Sequence, residues 1–243
     1  GLEIMEQLPD AEVVLVPIGG GGLISGVAYA IKALNPRVKV YGVQASGAAS
    51  MLQSFEHHKI ECLPSVSTIA DGIAVKEPGE HTFDICQHYL DGIVSVSEDE
   101  ICAAILTLIE QQKLIAEGAG AVSVAAAMFN KVPVKGKKTV CIVSGGNIDV
   151  TILSRVINRG LSKSGRRCTL IVELPDKPGQ LSNITRITAE LGANIVSVHH
   201  ERNGESPDVS LCYLRIAMET RNEEHIEEIK DGLLKAGYHL LNN

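Results

Sequence analysis

Four consecutive glycines stand between an apolar run and a helical pattern, and this junction constrains the fold most. Residues 13–16 (VVLV) are apolar and β-branched, which predicts a buried strand. After the glycines, apolar residues recur at helical spacing until Asn35 and Pro36: Leu23, Val27, Ala30, Ile31 and Leu34. Glycine backbones can turn several N–H groups onto one anion, and a helix N-terminus attracts negative charge. The junction therefore predicts a strand, a phosphate-binding loop and a helix.

The usual nucleotide-binding glycine patterns do not fit this loop. A GxGxxG motif that uses Gly20 and Gly22 requires a glycine at position 25, which is a serine. A Walker loop requires a lysine where Val27 follows Gly26. The acidic residue that binds a dinucleotide ribose is replaced by the neutral Gln44. We therefore expect the phosphate of a cofactor other than a dinucleotide or ATP.

Strands alternate with helices through the first two thirds of the chain. Further strands are predicted at residues 38–43 and 139–143, and residues 60–95 show a less regular pattern. Ser97 and Glu100 form the sequence signature of a capping box, which predicts the start of a helix. This alternation predicts an α/β domain with a parallel sheet over residues 1–162.

The composition changes at residues 162–167 (SKSGRR), a polar and basic stretch that predicts a linker. Residues 163–243 then predict a second domain with the element order βαββαβ, which is ferredoxin-like. Its strands are predicted at residues 168–174, 195–199, 209–217 and 238–241, with a turn at Asn203 and Gly204 between the second and third.

Charge and hydropathy exclude two classes of partner. The net charge of −7 argues against binding to nucleic acid or to an anionic membrane surface. No apolar stretch approaches the roughly 20 residues that a membrane-spanning helix needs. We therefore expect no nucleic-acid partner and no membrane partner.

The cysteines and histidines show no ligand spacing. The six cysteines contain no CxxC pair, which indicates buried, reduced thiols and a cytoplasmic protein. The histidine pairs at 57–58 and 199–200 are adjacent, so the two side chains of each pair face different directions. The sequence predicts no metal site.

A second candidate loop follows the strand at residues 139–143. Its sequence is Ser-Gly-Gly-Asn, beginning at Ser144. In a parallel sheet, residues just beyond the carboxyl ends of the strands face a common ligand crevice. Ser144 is therefore expected to present its hydroxyl to the same ligand as the glycine loop, although an ordinary connecting turn also explains this stretch.

Four motifs occur in an order and spacing that resemble a known family. They are residues 16–26 (VPIGGGGLISG), 68–75 (TIADGIAV), 117–121 (EGAGA) and 142–149 (IVSGGNID). Together they resemble the C-terminal part of the catalytic domain of threonine/serine dehydratases, which are pyridoxal 5'-phosphate enzymes of fold type II, the tryptophan-synthase-β fold. Residues 168–243, with PDKPGQL at 175–181 and LGANI at 191–195, resemble an ACT regulatory domain.

The resemblance implies a set of cofactor-binding residues. The backbone from Gly19 through Gly20, Gly21 and Gly22 to Leu23 would hold the cofactor phosphate, and Ser144 would hydrogen-bond the pyridine nitrogen. Asp71 and Glu117 match wall segments of the active site without an assigned chemical step. Asp71 is equally explained as a turn cap, and Glu117 as a charge at a helix N-terminus.

Two departures from the family pattern change what the chain can be expected to do. The Ser-Phe-Lys-x-Arg-Gly segment that carries the Schiff-base lysine is absent, so no catalytic residue is assigned and the 243 residues alone are expected to be inactive. Residues 44–50 (QASGAAS) lack the carboxylates that hold a divalent cation in serine racemases, so no Mg²⁺ or Mn²⁺ site is expected. Carbonyl groups and Ser50 remain available to a monovalent ion.

The ACT resemblance implies an amino-acid effector held between paired domains, and hence a homo-oligomer, a dimer or a tetramer. The turn that contains Gly179 and Leu181 would bind the effector carboxylate with backbone N–H groups, and Asn194 would bind its other polar group. The alternative is a module that only holds subunits together and binds no ligand.

The whole pattern indicates a regulated threonine and serine ammonia-lyase that converts L-threonine into 2-oxobutanoate and ammonia. Residues 1–8 have the pattern of a helix that starts upstream, so the chain is expected to be truncated. Two alternatives stay open. One is a non-catalytic, amino-acid-binding regulatory protein, and the other is a different fold type II enzyme, such as a serine racemase or a threonine synthase.

Overall fold

The computed structural model describes residues 1–201 and 210–241. These residues divide into two compact units, Gly1–Gly160 and Leu161–Asn243. The division falls inside the helix Val150–Lys163, and the domain boundary predicted between residues 162 and 163 lies in the same helix. The predicted turn at Asn203 and Gly204, and the predicted strand start at Val209, lie outside the described residues.

The first unit is built on a parallel sheet of four strands, as the alternating pattern predicts. The strand order is β3-β2-β1-β4. Strand β1 pairs with β2 from Val13 opposite Lys39, and with β4 from Val13 opposite Thr139. The strands are β1 (Val13–Pro17), β2 (Lys39–Ala45), β3 (Gly92–Val96) and β4 (Thr139–Cys141).

Helices cover both faces of this sheet. Side chains alternate along β1, so Val13 and Leu15 join one apolar cluster while Val14 and Val16 join the other. The helices are α1 (Leu2–Gln7), α2 (Gly22–Leu34), α3 (Ser50–His57), α4 (Glu80–Tyr89), α5 (Glu98–Thr107), α6 (Gly118–Met128) and α7 (Val150–Lys163). The first cluster contains residues of α5 and α6, and the second contains residues of α2, α3 and α4. The unit is a three-layer α/β structure.

Local signals place several of these elements correctly. The capping box is confirmed: Ser97 Oγ accepts from the Glu100 N–H at 3.3 Å, and Glu100 Oε2 accepts from the Ser97 N–H at 2.8 Å. The irregular pattern predicted for residues 60–95 is wrong for their second half, which contains α4 and β3. Only Phe83 and Cys86 of α4 are buried, so this helix has too few apolar positions to show a helical period.

The second unit has the element order βαββαβ that the sequence predicts. Its antiparallel sheet has the order β6-β7-β5-β8, and β5 pairs with β7 from Arg167 opposite Glu219 to Pro175 opposite Leu211. The elements are β5 (Arg167–Pro175), α8 (Gln180–Glu190), β6 (Asn194–Glu201), β7 (Leu211–Glu219), α9 (Glu223–Lys235) and β8 (His239–Leu241). Alternate residues of β7 are buried with Ile184 of α8 and Ile229 of α9, which places both helices on one face of the sheet.

In the described parts of the chain, every helix is too short or too polar to cross a bilayer.

Candidate functional site

The glycine loop, residues 18–22, turns the chain from the buried strand β1 into helix α2. Gly21 is the N-cap of α2 and has a φ of 94°, in the left-handed region where glycine is favoured. A Cβ at Gly21 would lie 2.8 Å from both Met51 Cε and Thr82 Cβ. Both the backbone conformation and the close packing therefore require glycine at this position.

Helix α4 holds the glycine loop from outside the strand–loop–helix unit. The Thr82 hydroxyl donates a hydrogen bond to the Gly20 carbonyl, and its oxygen also lies 2.9 Å from the Gly79 carbonyl oxygen. On the other side, the amide of the fully buried Gln44 donates to the Ile18 carbonyl at 3.3 Å. Gln44 also accepts from the Leu52 N–H at 2.8 Å. The start and the middle of the loop are thus fixed by side chains distant in sequence, and sequence reasoning gave Gln44 no such role.

Open space remains beside the loop. A Cβ built on Gly20 or on Gly22 meets no heavy atom within 4 Å. The loop borders a cavity of about 300 Å³, the glycine-loop cavity, whose lining residues are Pro17, Gly19, Gly20, Gly21, Gly22, Leu23, Gly72, Ile73, Glu117, Ala119 and Ser144. The first N–H groups of α2 have no carbonyl partner within their own helix, which makes this end of α2 suitable for an anion. The geometry fits a phosphate group.

Ser144 lines the same cavity as the glycines and lies in the loop that follows β4. Its side chain is exposed. Strands β1 and β4 are parallel neighbours, so their carboxyl ends lie at the same edge of the sheet. The structure therefore brings together all six residues predicted to bind the cofactor, from Gly19 to Leu23 and Ser144.

Glu117 connects this serine-containing loop to α6. Glu117 is the N-cap of α6, but its carboxylate makes no side-chain cap bond to that helix. Instead, Oε2 accepts from the Asn147 N–H at 3.2 Å, and the Glu117 N–H donates to the Gly145 carbonyl at 3.1 Å. Glu117 thereby holds the backbone that directly follows Ser144, a role more specific than a charge at a helix end.

Asp71 is placed differently from Glu117. It is exposed, lies in a short 3₁₀ turn (Asp71–Ile73), and its Oδ1 accepts from the Gly72 N–H at 2.9 Å. It is absent from the lining of the glycine-loop cavity and borders a neighbouring cavity of about 520 Å³, which Glu117 also lines. The N-cap of this turn is Ala70 and the turn has no side-chain cap bond, so the role of Asp71 as a turn cap stays a prediction.

Two further expectations concern cations and lysines. The Ser50 hydroxyl, considered for a monovalent ion, donates to the Val75 carbonyl at 2.7 Å. Of the lysines in the described residues, none lines the glycine-loop cavity. Lys32, for example, forms an ion pair with Asp91, with 2.6 Å between Lys32 Nζ and Asp91 Oδ2.

The predicted effector residues separate into two places in the second unit. Gly179, the N-cap of α8, and Leu181 border a cavity of about 350 Å³, the second-unit cavity. Asn194 begins β6, and its amide donates to Glu219 Oε2 at 2.8 Å. Asn194 is not a lining residue of the second-unit cavity. Asp176, His200 and Cys212 do line it, and the sequence assigned none of them a binding role.

Comparison with known proteins connects the first unit to one family. Residues 1–145 match the profile of the family described as pyridoxal-phosphate dependent enzyme. The chain is 51% identical over 238 residues to the L-threonine ammonia-lyase of Thermotoga maritima, and the match covers 98% of this chain and 59% of that protein. The chain thus spans about three fifths of the length of this curated relative.

Two solved structures are also similar to this chain. The processed form of threonine deaminase isoform 2 from Solanum lycopersicum superposes with a TM-score of 0.61 and 42% identity, covering 65% of this chain and 44% of that one. Maize serine racemase superposes with a TM-score of 0.59 and 37% identity, covering 65% and 51%. Both similarities extend over about the length of the first unit.

Proposed function

The chain belongs to the family of pyridoxal-phosphate dependent enzymes, and from this membership we propose that it is a threonine and serine ammonia-lyase that converts L-threonine into 2-oxobutanoate and ammonia. The observation that carries the proposal is the glycine-loop cavity, where the glycine loop and Ser144 meet at one edge of the parallel sheet. The choice of reaction is supported by the name of the Thermotoga maritima relative, which is 51% identical.

Different residues around the cavity would hold different parts of the cofactor. Backbone N–H groups at the start of α2 would donate to the phosphate, and Leu23 closes the lining beside them. Ser144 would meet the pyridine nitrogen with a neutral hydroxyl, which leaves that nitrogen unprotonated. Glu117 would hold the backbone of the Ser144 loop in place through its hydrogen bonds with Gly145 and Asn147.

Bound pyridoxal phosphate supplies an electron-withdrawing ring that stabilises negative charge at the α-carbon of an amino acid. A neutral partner for the ring nitrogen moderates this withdrawal, which favours loss of the β-hydroxyl over transamination. The overall reaction balances without a further reactant, because elimination releases one water molecule and the later hydrolysis consumes one. The residues described would bind and orient, and the lining holds no lysine to accept the α-proton.

We therefore expect the 243 residues alone to bind the cofactor without turning over threonine. The decisive experiment joins this chain to the portion of the Thermotoga maritima enzyme that it does not match, and then measures 2-oxobutanoate and ammonia from L-threonine. Equal amounts of the two products, with a lower kcat in the Ser144→Ala variant, are expected. Release of neither product by a folded chimera that binds pyridoxal phosphate would overturn the proposal.

A serine racemase is the second candidate, because the maize enzyme shares 37% identity with this chain. The same chimera distinguishes the two reactions when it is given L-serine. Pyruvate and ammonia as main products support the lyase, whereas accumulation of D-serine supports the racemase.

For the second unit we propose an ACT-like regulatory role and a homo-oligomeric assembly. The βαββαβ order and the sheet order β6-β7-β5-β8 support the first part. Gly179 and Leu181 at the second-unit cavity are the proposed effector residues, and Asn194 is proposed to act only where a neighbouring subunit completes the site. A thermal-shift screen with the twenty amino acids, together with light scattering for the oligomeric state, tests both parts. A monomer whose melting temperature no amino acid raises would refute them.

A further inference from the structure

Three side chains with different ligand chemistry meet at the second-unit cavity. Asp176 directly follows β5, His200 lies near the end of β6, and Cys212 is the second residue of β7. They are separated by 24 and 12 positions in the sequence, and only the antiparallel sheet brings them together. The absence of HxxxH and CxxC spacing, on which the sequence prediction of no metal site rested, does not bear on such a cluster.

The sheet register explains how the three side chains converge. His200 stands opposite Leu214, and Leu174 stands opposite Cys212, so His200 and Cys212 project from the same face of neighbouring strands. The Asp176 N–H donates to the Ser210 carbonyl at 2.8 Å, which holds the residue after β5 beside the start of β7. Backbone pairing therefore places all three residues, and none of them depends on a long loop.

The distances suit a tetrahedral metal ion. One ligand atom from each of the three side chains lies within 4.8 Å of the other two, and His200 Nε2 is 3.1 Å from Cys212 Sγ. A tetrahedral zinc ion with bonds of about 2.0–2.3 Å spaces its ligand atoms by roughly 3.3–3.8 Å. The 3.1 Å separation of His200 Nε2 and Cys212 Sγ and the 4.8 Å upper limit lie on either side of this spacing.

The chemistry of the three ligands selects the kind of ion. Thiolate and imidazole favour zinc and similar transition metals, whereas magnesium and calcium prefer sites made of oxygen ligands. Cys212 is 1% exposed, so the site has an interior side, while Asp176 and His200 are exposed and give access from solvent. The cavity of about 350 Å³ leaves room for a fourth ligand from water or from a small anion.

We propose that Asp176, His200 and Cys212 form a binding site for one zinc-type divalent cation in the second unit. On binding, the Cys212 thiol releases its proton to the solvent, and the sulfur becomes a metal ligand. The fourth position faces the second-unit cavity, so a small anionic ligand there would coordinate the metal directly. This proposal is independent of the lyase proposal, because it uses no residue of the first unit.

The experiment uses the complete 243-residue chain, prepared metal-free under a phosphine reductant. Zn²⁺ affinity is measured by competition with a chromophoric chelator, and Co²⁺ is added separately as a spectroscopic probe. We expect one equivalent of Zn²⁺, a near-ultraviolet thiolate-to-cobalt charge-transfer band, and visible bands typical of tetrahedral Co²⁺. The variants Cys212→Ser, His200→Gln and Asp176→Asn should each weaken Zn²⁺ binding more than tenfold, because losing even an outer partner of a metal ligand costs about 10–100-fold.

Two matched controls accompany these variants. Cys168→Ser removes another thiol of the same sheet, and His199→Gln changes the neighbouring histidine on the opposite face of β6. Both should keep the wild-type affinity and the cobalt spectrum. Thermal melts of the metal-free proteins show whether each variant is folded.

Three results would overturn the proposal. The first is the absence of stoichiometric Zn²⁺ binding by the folded chain. The second is a charge-transfer band that persists in a folded Cys212→Ser variant, since the thiolate would then come from elsewhere. The third is an equal loss of affinity in the His199→Gln control.

Discussion

The Glu117 N–H donates a 3.1 Å hydrogen bond to the Gly145 carbonyl, and the Glu117 carboxylate occupies the space that a side chain at position 145 would need. This pair joins the start of α6 to the loop that presents Ser144. A side chain at position 145 would therefore have to displace the Glu117 carboxylate, and this displacement can be measured as a coupling between the two positions.

Gly145→Ala is expected to lower the free energy of unfolding by about 1–3 kcal/mol, the usual cost of overpacking. In a Glu117→Ala background the same change should cost clearly less, because the carboxylate that the new Cβ meets is gone. Urea denaturation of the two single variants and the double variant measures the coupling. Strictly additive effects would show that the two residues do not share this space.

The variant Gly20→Ala should weaken cofactor binding without destabilising the fold. A Cβ at Gly20 meets no protein atom within 4 Å, so the free energy of unfolding should change little, yet the methyl group would project beside the loop proposed to hold the phosphate. We expect pyridoxal phosphate to bind at least tenfold more weakly, which corresponds to about 1.4 kcal/mol. Isothermal titration of the 243-residue chain provides the measurement.

Gly26→Ala is the matched control on the same helix. Gly26 lies inside α2, is exposed, does not line the glycine-loop cavity, and also has open space around its Cβ position. Replacing an interior helical glycine with alanine should raise stability by about 0.5–1 kcal/mol and leave cofactor affinity unchanged. Equal losses of affinity in both variants would argue against the phosphate assignment.

Asp91 links three elements of the first unit and should make stability depend on pH. Burial alone would raise the pKa of Asp91, but hydrogen bonds from Lys32, Lys39 and the Val40 N–H lower that pKa below its ordinary value. A lowered carboxyl pKa adds stability above the unfolded-state value of about 3.9, and this stability is lost as the pH falls through the lower folded pKa. Urea titrations between neutral and acidic pH should show this loss in the wild type.

Asp91→Asn should lower the free energy of unfolding at neutral pH by roughly 1–3 kcal/mol, because it removes charge-assisted hydrogen bonds from a half-buried site. The same variant should flatten the acid dependence. Asp10→Asn, which breaks an exposed ion pair with Lys138, is the control and should change neither property appreciably. An unchanged acid profile in Asp91→Asn would assign the dependence to other carboxyl groups.

Thiol labelling should follow burial. Desolvation raises the pKa of both Cys102 and Cys141 to about 11, so at pH 8 roughly one thiol in a thousand is ionised at each position. Cys62 is the exposed cysteine of the described residues and should account for the fast phase with a disulfide reagent. Cys62→Ser should remove that phase, and its persistence would indicate that another thiol is accessible.

The sequence predicts those parts of the fold that have strong local signals. The β1 run with its glycines, the capping box at Ser97, and the βαββαβ order all depend on residues close together in the chain. Helix α4 and strand β3 escape prediction because α4 buries only two side chains and β3 is a five-residue edge strand. Short, half-exposed elements take their conformation from the tertiary structure more than from their own pattern.

The sites show the same division. The sequence predicts that the glycine loop and Ser144 meet at one sheet edge, because each follows a predicted strand. Gln44 could have been found from its position in the buried strand β2, where a polar side chain needs partners. The cluster of Asp176, His200 and Cys212 could not have been found from the sequence, because it depends on the strand order and register of the second sheet.

The Thr82 hydroxyl holds the Gly20 carbonyl from a helix that sequence analysis did not find. A loop of four glycines would otherwise lose much conformational entropy when it closes on a ligand. Because α4 holds the middle of the loop, part of that entropy is already lost in the folded chain. Binding of a phosphate therefore has to order less of the loop. Affinity for the cofactor should therefore track the local stability of α4, some sixty residues away along the chain.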